Sequence, residues 1–191
     1  MEIGNSELVT KLKNADEQVY RQLVLQYQDK IFNTCISLVK NAEDADDLSQ
    51  EVFIEIFRSI HKFREDSLLS TWIYRIAVNK SLEHLRRMKR KKRAGILTWF
   101  NKKDQDMNQK ATDFNHPGIQ LENEEQSRIL FRAVEKLPES QKIAFTLHKL
   151  EGLSYGQIAA VMQKTLSSIE SLIHRAKKNL RKELYDYYIS L

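Results

Sequence analysis

Leu153-Ser154-Tyr155-Gly156-Gln157-Ile158-Ala159-Ala160-Val161-Met162 is followed by Gln163-Lys164-Thr165-Leu166, and then by Ser167-Ser168-Ile169-Glu170-Ser171-Leu172-Ile173-His174-Arg175-Ala176-Lys177-Lys178-Asn179-Leu180. The spacing of apolar residues predicts two short amphipathic helices joined by a tight polar turn, the sequence form of a helix-turn-helix. The second helix opens on small polar residues and carries cations further on. That order suits entry of its N-terminal end into a major groove while the cations hold phosphates. The expected ligand is DNA.

Working outward, Ser154 with Gln157 three positions on forms a capping box for the first of these helices. Gly152, tolerant of positive φ, ends the helix before it. That helix is predicted to start with Pro138 in its first turn and to run through Ile143, Leu147 and Leu150. A further helix carries Ile129, Ala133, Val134 and Leu137. The last helix, from about Ser167, stacks Ile169, Leu172, Ile173, Ala176, Leu180 and Leu184 on its buried side, opposite Glu170, Arg175, Lys178 and Lys182.

Upstream, Leu23, Tyr27, Ile31, Cys35 and Leu38 recur at helical spacing between about Glu17 and Val39. A second helix from about Asp44 to Ile60 has Leu48, Val52, Phe53, Ile56, Phe57 and Ile60 as its apolar face. A polar loop, His61 to Ser70, offers Ser67 or Ser70 as an N-cap. A third helix from about Thr71 carries Trp72, Ile73, Ile76, Ala77, Leu82 and Leu85 and ends within a basic run. From Gly95 to about Gly118 the periodicity is lost, and the segment reads as a linker, flexible or partly helical alone. Its Trp99-Phe100 pair either folds back on the first domain or docks a partner. The expected fold is all-α, with two small helical domains joined by a flexible linker and the second ending in the helix-turn-helix. The boundaries are 1–94, 95–118 and 119–191.

Composition agrees with this outline. Charged residues make up 30% of the 191, and there are only two prolines. The net charge of +5 and a pI near 9.2 hint at a polyanionic partner. The distribution says more than the sum. Acidic residues crowd Glu43 to Glu55, and every residue from Arg86 to Arg93 except Met88 is basic. The single cysteine, Cys35, sits in an apolar helical stripe and reads as a buried thiol, consistent with a reducing cytosol. The N-terminal residues form no signal peptide, and no stretch approaches the ~18 apolar residues of a membrane span. A cytoplasmic protein is expected.

The pairing of Asp46-Asp47-Leu48-Ser49-Gln50-Glu51-Val52-Phe53 with Thr71-Trp72-Ile73-Tyr74-Arg75-Ile76-Ala77-Val78-Asn79 resembles conserved region 2 of bacterial RNA-polymerase sigma factors. Leu137-Pro138-Glu139-Ser140-Gln141, the Leu153–Ala159 stretch and His174-Arg175-Ala176-Lys177 resemble their region 4. Nothing between reads as the intermediate domain of larger sigma factors, so the resemblance is to the extracytoplasmic-function (ECF) group. It implies promoter recognition and strand opening as a dissociable polymerase subunit, with core RNA polymerase and promoter DNA as partners. An anti-sigma factor is a further candidate partner.

By resemblance, Asp47, Leu48, Gln50 and Glu51 dock on a coiled coil of the polymerase. Asn79, Lys80, Glu83, Arg86 and Arg87 meet the −10 promoter element, and the loop with Arg64, Ser67 and Leu68 holds a base extruded from the opened strand. The run to Arg93 then clamps phosphate. Trp72 invites base stacking, but its neighbours Ile73 and Ile76 favour core packing. In the recognition helix Ser167, Ser168, Glu170 and Ser171 face base edges of the −35 element, with Arg175 and Lys178 on phosphate; His174, with no partner His or Cys at ligand spacing, either contacts phosphate or packs. Glu170 either accepts from a cytosine amine or caps the helix start. Glu170 and Leu172 stand where many members have a basic residue. Gln163 stands where the family often has Gly, so the bend is expected to form without a free left-handed residue.

No phosphate-cradling Gly-rich loop, metal pattern or nucleophile motif is present, so no enzyme activity and no cofactor are expected. The competing reading is a dimeric helix-turn-helix repressor whose first domain senses or oligomerises.

Overall fold

The computed structural model describes the backbone of residues 5–99 and 124–189, and side chains within 6–91 and 129–185. The described residues form eight α-helices: α1 (Asn5–Lys13), α2 (Glu17–Val39), α3 (Ala42–Ser59), α4 (Leu69–Trp99), α5 (Glu124–Glu135), α6 (Glu139–Lys149), α7 (Tyr155–Met162) and α8 (Leu166–Ile189). A single 3-10 turn, Ile60–Lys62, follows α3. The segment expected to be a linker lies largely outside the described residues, as does the side-chain packing of Trp99 and Phe100.

In the first half the stripe on α2 packs on α3 and α4. Leu23, Ile31 and Cys35 meet Val52, Ile56, Ile73 and Ala77 in one buried cluster, closed from below by Val9 and Leu12 of α1. Full burial of one such aliphatic side chain contributes about 1.5–3 kcal/mol, so this cluster dominates the local energetics. Asp16 caps α2 by accepting from the amides of Gln18 and Val19, and Asn41 caps α3 by accepting from that of Asp44. The Tyr20 hydroxyl donates to the Phe53 carbonyl (2.6 Å), tying α2 to α3.

Several boundaries differ from the sequence reading. Helix α1 was not foreseen, because nine residues with two buried apolar side chains carry little periodic signal. Phe57, placed on the apolar face, is 52% exposed and stacks edge-on against Tyr20 at the rim. Neither Ser67 nor Ser70 caps α4: Leu68 precedes the helix and its carbonyl takes the first helical bond, from the Trp72 amide. Helix α4 also continues through the basic run and Gly95 to Trp99, since Lys, Arg, Ala and Leu are good helix formers and one glycine costs only about 1 kcal/mol.

In the second half α5 lies on α8 through Ala133, Val134, Leu137, Ala176 and Leu180. Pro138 sits at the N-cap of α6, one position before the expected first turn. Gly152 adopts φ +69°, as its place after α6 demanded. Ser154 and Gln157 make both bonds of the capping box on α7.

The two halves share a core. Leu38 of α2 and Tyr74 and Val78 of α4 are buried with Ile143, Ala144 and Leu147 of α6, Ile158 and Val161 of α7, and Ile169 and Ile173 of α8. Nothing in the sequence pointed to this seam.

Candidate nucleic-acid and polymerase interface

The helix-turn-helix is formed by α7 and α8. Its turn contains the sharpest departure from expectation: Gln163 itself adopts the left-handed conformation, φ 53° and ψ 48°, and its amide donates to the Ala159 carbonyl. The bend therefore does use a left-handed residue, with a side chain that makes the conformation cost roughly 1–2 kcal/mol. The Thr165 hydroxyl accepts from the Ser168 amide (3.3 Å) at the start of α8. Capping is thus carried by Thr165, and Glu170 projects outward.

On α8, Ile169, Ile173, Ala176 and Leu180 face the core. Ser167, Glu170, Ser171, His174, Arg175 and Lys178 are exposed, and Ser168 is half-buried. The 3.6-residue period thus sorts the helix into a fixed apolar side and a free polar side whose N-terminal end carries the small residues.

On α4 the same sorting leaves Asn79, Glu83, Arg86 and Arg87 exposed, with Lys80 half-buried beside them. The preceding loop presents Arg64 and the 51% exposed Leu68, with Ser67 half-buried. An apolar side chain exposed on the same loop as a cationic one is suited to pack against an unstacked base. Trp72 is partly buried against the first core, its ring 5.2 Å from that of Phe63, which is a packing role. From Arg86 to Lys91 every side chain is exposed. One of them, Lys89, lies 3.7 Å from Glu139 of α6, so part of the basic run faces the second half.

The acidic face of α3 consists of Asp47, Gln50 and Glu51, all exposed. Gln50 Nε2 donates to Asp46 Oδ2 (3.1 Å), and Glu51 lies 3.6 Å from Lys80 Nζ. Leu48 stands apart: it is 3% exposed within the first core, so it supports this face from beneath and is not itself available for contact. The structure brings the acidic α3 face and the exposed α4 face side by side on two packed helices; His84 Nε2, 3.4 Å from Asp44, adds a second link between them.

Sequence reasoning passed over Tyr74, Arg75 and Glu151. The Tyr74 hydroxyl donates to Glu151 Oε2 (2.9 Å) and Arg75 Nη2 to the Ala160 carbonyl (2.9 Å), both across the two halves. Burial, and then Glu151, raise the Tyr74 hydroxyl above the usual tyrosine range. No local pattern in the sequence signals a partner so far along the chain. Among the described residues no group of His, Cys, Asp and Glu could hold a metal ion, and no helix is long and apolar enough to cross a membrane.

Residues 23–91 match the Sigma-70 region 2 family and residues 127–180 the Sigma-70 region 4 family. The chain is 33% identical over 180 residues to the RNA polymerase sigma-H factor of Pseudomonas aeruginosa, covering 94% of this chain and 93% of that one. It is 32% identical over 177 residues to the ECF RNA polymerase sigma-E factor of Escherichia coli K12, covering 93% and 92% respectively. In fold it is similar to CnrH solved in complex with the cytosolic domain of CnrY, with a TM-score of 0.69 at 21% identity over 95% of this chain and 97% of that one. It is also similar to the sigma factor RpoE of Bartonella quintana solved with the anti-sigma factor NepR, with a TM-score of 0.66 at 20% identity over 87% and 96%. These likenesses favour the initiation-factor reading over a dimeric repressor. Two exposed polar helix faces, α4 and α8, each in a segment matched by a sigma region, place the protein in its family: the chain belongs to the ECF group of RNA polymerase sigma factors.

Proposed function

We propose a division of the sigma-factor task among three surfaces. Asp47, Gln50 and Glu51, carried over buried Leu48, dock the chain on a basic helical element of core polymerase. Arg64, Ser67, Leu68, Asn79, Lys80, Glu83, Arg86 and Arg87 read and hold the opened −10 element. Ser167, Ser168, Glu170, Ser171, His174, Arg175 and Lys178 engage the duplex −35 element. The working units are residues 1–94 and 119–191, joined by 95–118, and the protein acts in the cytoplasm, where polymerase and promoter are.

The observation that carries this reading is the difference between the two exposed faces. The α8 face is a small-residue tip followed by cations, suited to a groove whose two strands are in register. The α4 face lies next to a loop with an outward Leu68 and Arg64, suited to single strands whose bases are splayed out. Tying two modest DNA contacts to one large partner raises specificity beyond what either gives alone. An anti-sigma factor as a regulator is part of the proposal, supported by the fold's likeness to a sigma factor, RpoE, solved with the anti-sigma factor NepR.

Permanganate reactivity of unpaired thymines, compared with filter binding of the closed complex, tests the assignment. Asn79→Ala and Arg64→Ala are expected to reduce melting more than initial docking. A parallel loss of both, or no loss of either, contradicts the base-holding role.

A further inference from the structure

Lys80, His84 and Arg87 follow one another at helical spacing along α4, as Asp44 and Glu51 do along α3. The two stripes meet antiparallel. Lys80 Nζ lies 3.6 Å from Glu51 Oε2, and one turn further along α4 His84 Nε2 lies 3.4 Å from Asp44 Oδ2. Arg87 comes after another turn, with its Nη2 3.3 Å from His84 Nδ1. His84 is only 9% exposed, whereas Arg87 is exposed. A buried imidazole thus stands between a carboxylate of the acidic helix and a guanidinium on the proposed DNA-binding face of α4.

The chemistry of its two neighbours sets the state of the ring. A guanidinium has only hydrogens to give, so Nδ1 takes part as an acceptor. A carboxylate has only lone pairs to give, so the proton of the ring belongs on Nε2, facing Asp44. The neutral ring with its proton on Nε2 suits both neighbours. The other tautomer would turn a lone pair to the carboxylate and a hydrogen to the guanidinium.

We propose that His84 is a positioning residue for Arg87. Asp44 orients the ring from α3, and the ring holds one terminal nitrogen of Arg87 before DNA arrives. The proposal rests on the assignment of Arg87 to the −10 surface above. An arginine on an exposed helix face samples many rotamers, and a phosphate contact must restrict them at a cost in entropy. Contact with His84 restricts Arg87 in advance and uses one of the five guanidinium hydrogens, leaving the fork able to meet phosphate. Asp44 and His84 act through Arg87 and make no DNA contact of their own.

The test uses the full chain assembled with core polymerase, and premelted bubble DNA enriched from a randomised pool by that wild-type holoenzyme. Affinity is measured over a salt series. Arg87→Ala is expected to lower affinity several-fold and to reduce the slope of log affinity against log salt by roughly one unit. His84→Phe keeps the bulk of the ring and removes both nitrogens. It should reproduce at least half of the Arg87→Ala loss and lower the salt slope as well, although a neutral ring neutralises no phosphate. His84→Asn, whose Oδ1 can still accept from Arg87, should recover most of that loss. In the Arg87→Ala background His84→Phe should have no further effect, because nothing is left to position.

Losses that add in the double variant, or a His84→Phe variant with the full wild-type salt slope, overturn the proposal. An imidazole nitrogen NMR spectrum of the full chain with the His84 proton on Nδ1 does so too, and needs neither polymerase nor DNA. Failure of the underlying reading looks different: Arg87→Ala alone would then leave affinity and slope unchanged, and the positioning role would fall with it.

Discussion

Lys80 of α4 lies 3.6 Å from the Glu51 carboxylate of α3, so the residue that ends the proposed docking face also touches the proposed DNA-binding face of α4. Both side chains are partly exposed, and an ion pair of that kind contributes no more than about 1 kcal/mol. Its value is positional: it fixes the long Lys80 side chain beside Asn79. A substitution at Glu51 should therefore leave the fold intact and still register in function.

Asp47→Ala, Gln50→Ala and Glu51→Arg are expected to weaken core-polymerase binding with no change in helical content. The fold does not require these exposed groups, whereas the proposed docking on a basic helical partner does. Fluorescence titration of labelled protein with core polymerase measures this directly. Leu48→Ala is the contrast: it should cost about 2–5 kcal/mol in a urea melt, because its side chain is buried in the first core.

Gln163→Gly should stabilise the protein by roughly 1 kcal/mol, because glycine occupies the left-handed turn without a Cβ penalty. Gln163→Val should destabilise it by more than that, since β-branching is poorly tolerated at positive φ. Chemical denaturation of both variants checks the direction, and equal midpoints for all three proteins would count against the strained-turn account.

Ser154→Ala removes the acceptor for the Gln157 amide in the capping box of α7. The expected loss is about 1 kcal/mol, with faster amide exchange in the first turn of α7 than in α8.

Burial pushes the Cys35 thiol up to about 11, while the neighbouring Ser81 and Ser49 act in the lowering direction. At pH 8 only about one thiol in a thousand is ionised, so alkylation by iodoacetamide should be very slow until denaturant opens the first core. Rapid labelling of the native protein at pH 8 would show that α2 and α4 do not seal this residue.

The parts of this molecule that were legible in its sequence are those set by local spacing. The stripe of Leu23, Tyr27, Ile31 and Cys35 gave α2 its extent, and Ser154 with Gln157 marked the start of α7 to the residue. The exposed faces of α4 and α8 followed from the same periodicity. What stayed hidden depends on partners distant in the chain. Phe57 looks like a core residue on a helical wheel, but α2 reaches only its edge through Tyr20. Tyr74 reads as one more aromatic on a core helix until α6 and the turn after it bring Glu151 to its hydroxyl. Gln163 could not be assigned a positive φ from its type, because the conformation is imposed by packing of α7 and α8 on either side.

Duplex binding separates the two proposed DNA surfaces. In the polymerase-bound protein, Arg175→Ala and Lys178→Ala should each weaken affinity for −35 duplex nearly uniformly across sequences. Each should also lower the slope of log affinity against log salt by roughly one unit. A loss confined to one base pair would make the residue a base reader, and the phosphate assignment would then fail.

Run-off transcription with purified core polymerase on the DNA upstream of this protein's own gene bears most directly on the central claim. The account predicts a discrete transcript that requires this protein and core polymerase together, and that weakens with Asn79→Ala or Arg175→Ala. A footprint made by the protein alone at a palindrome, with no transcript when core polymerase is added, would contradict it.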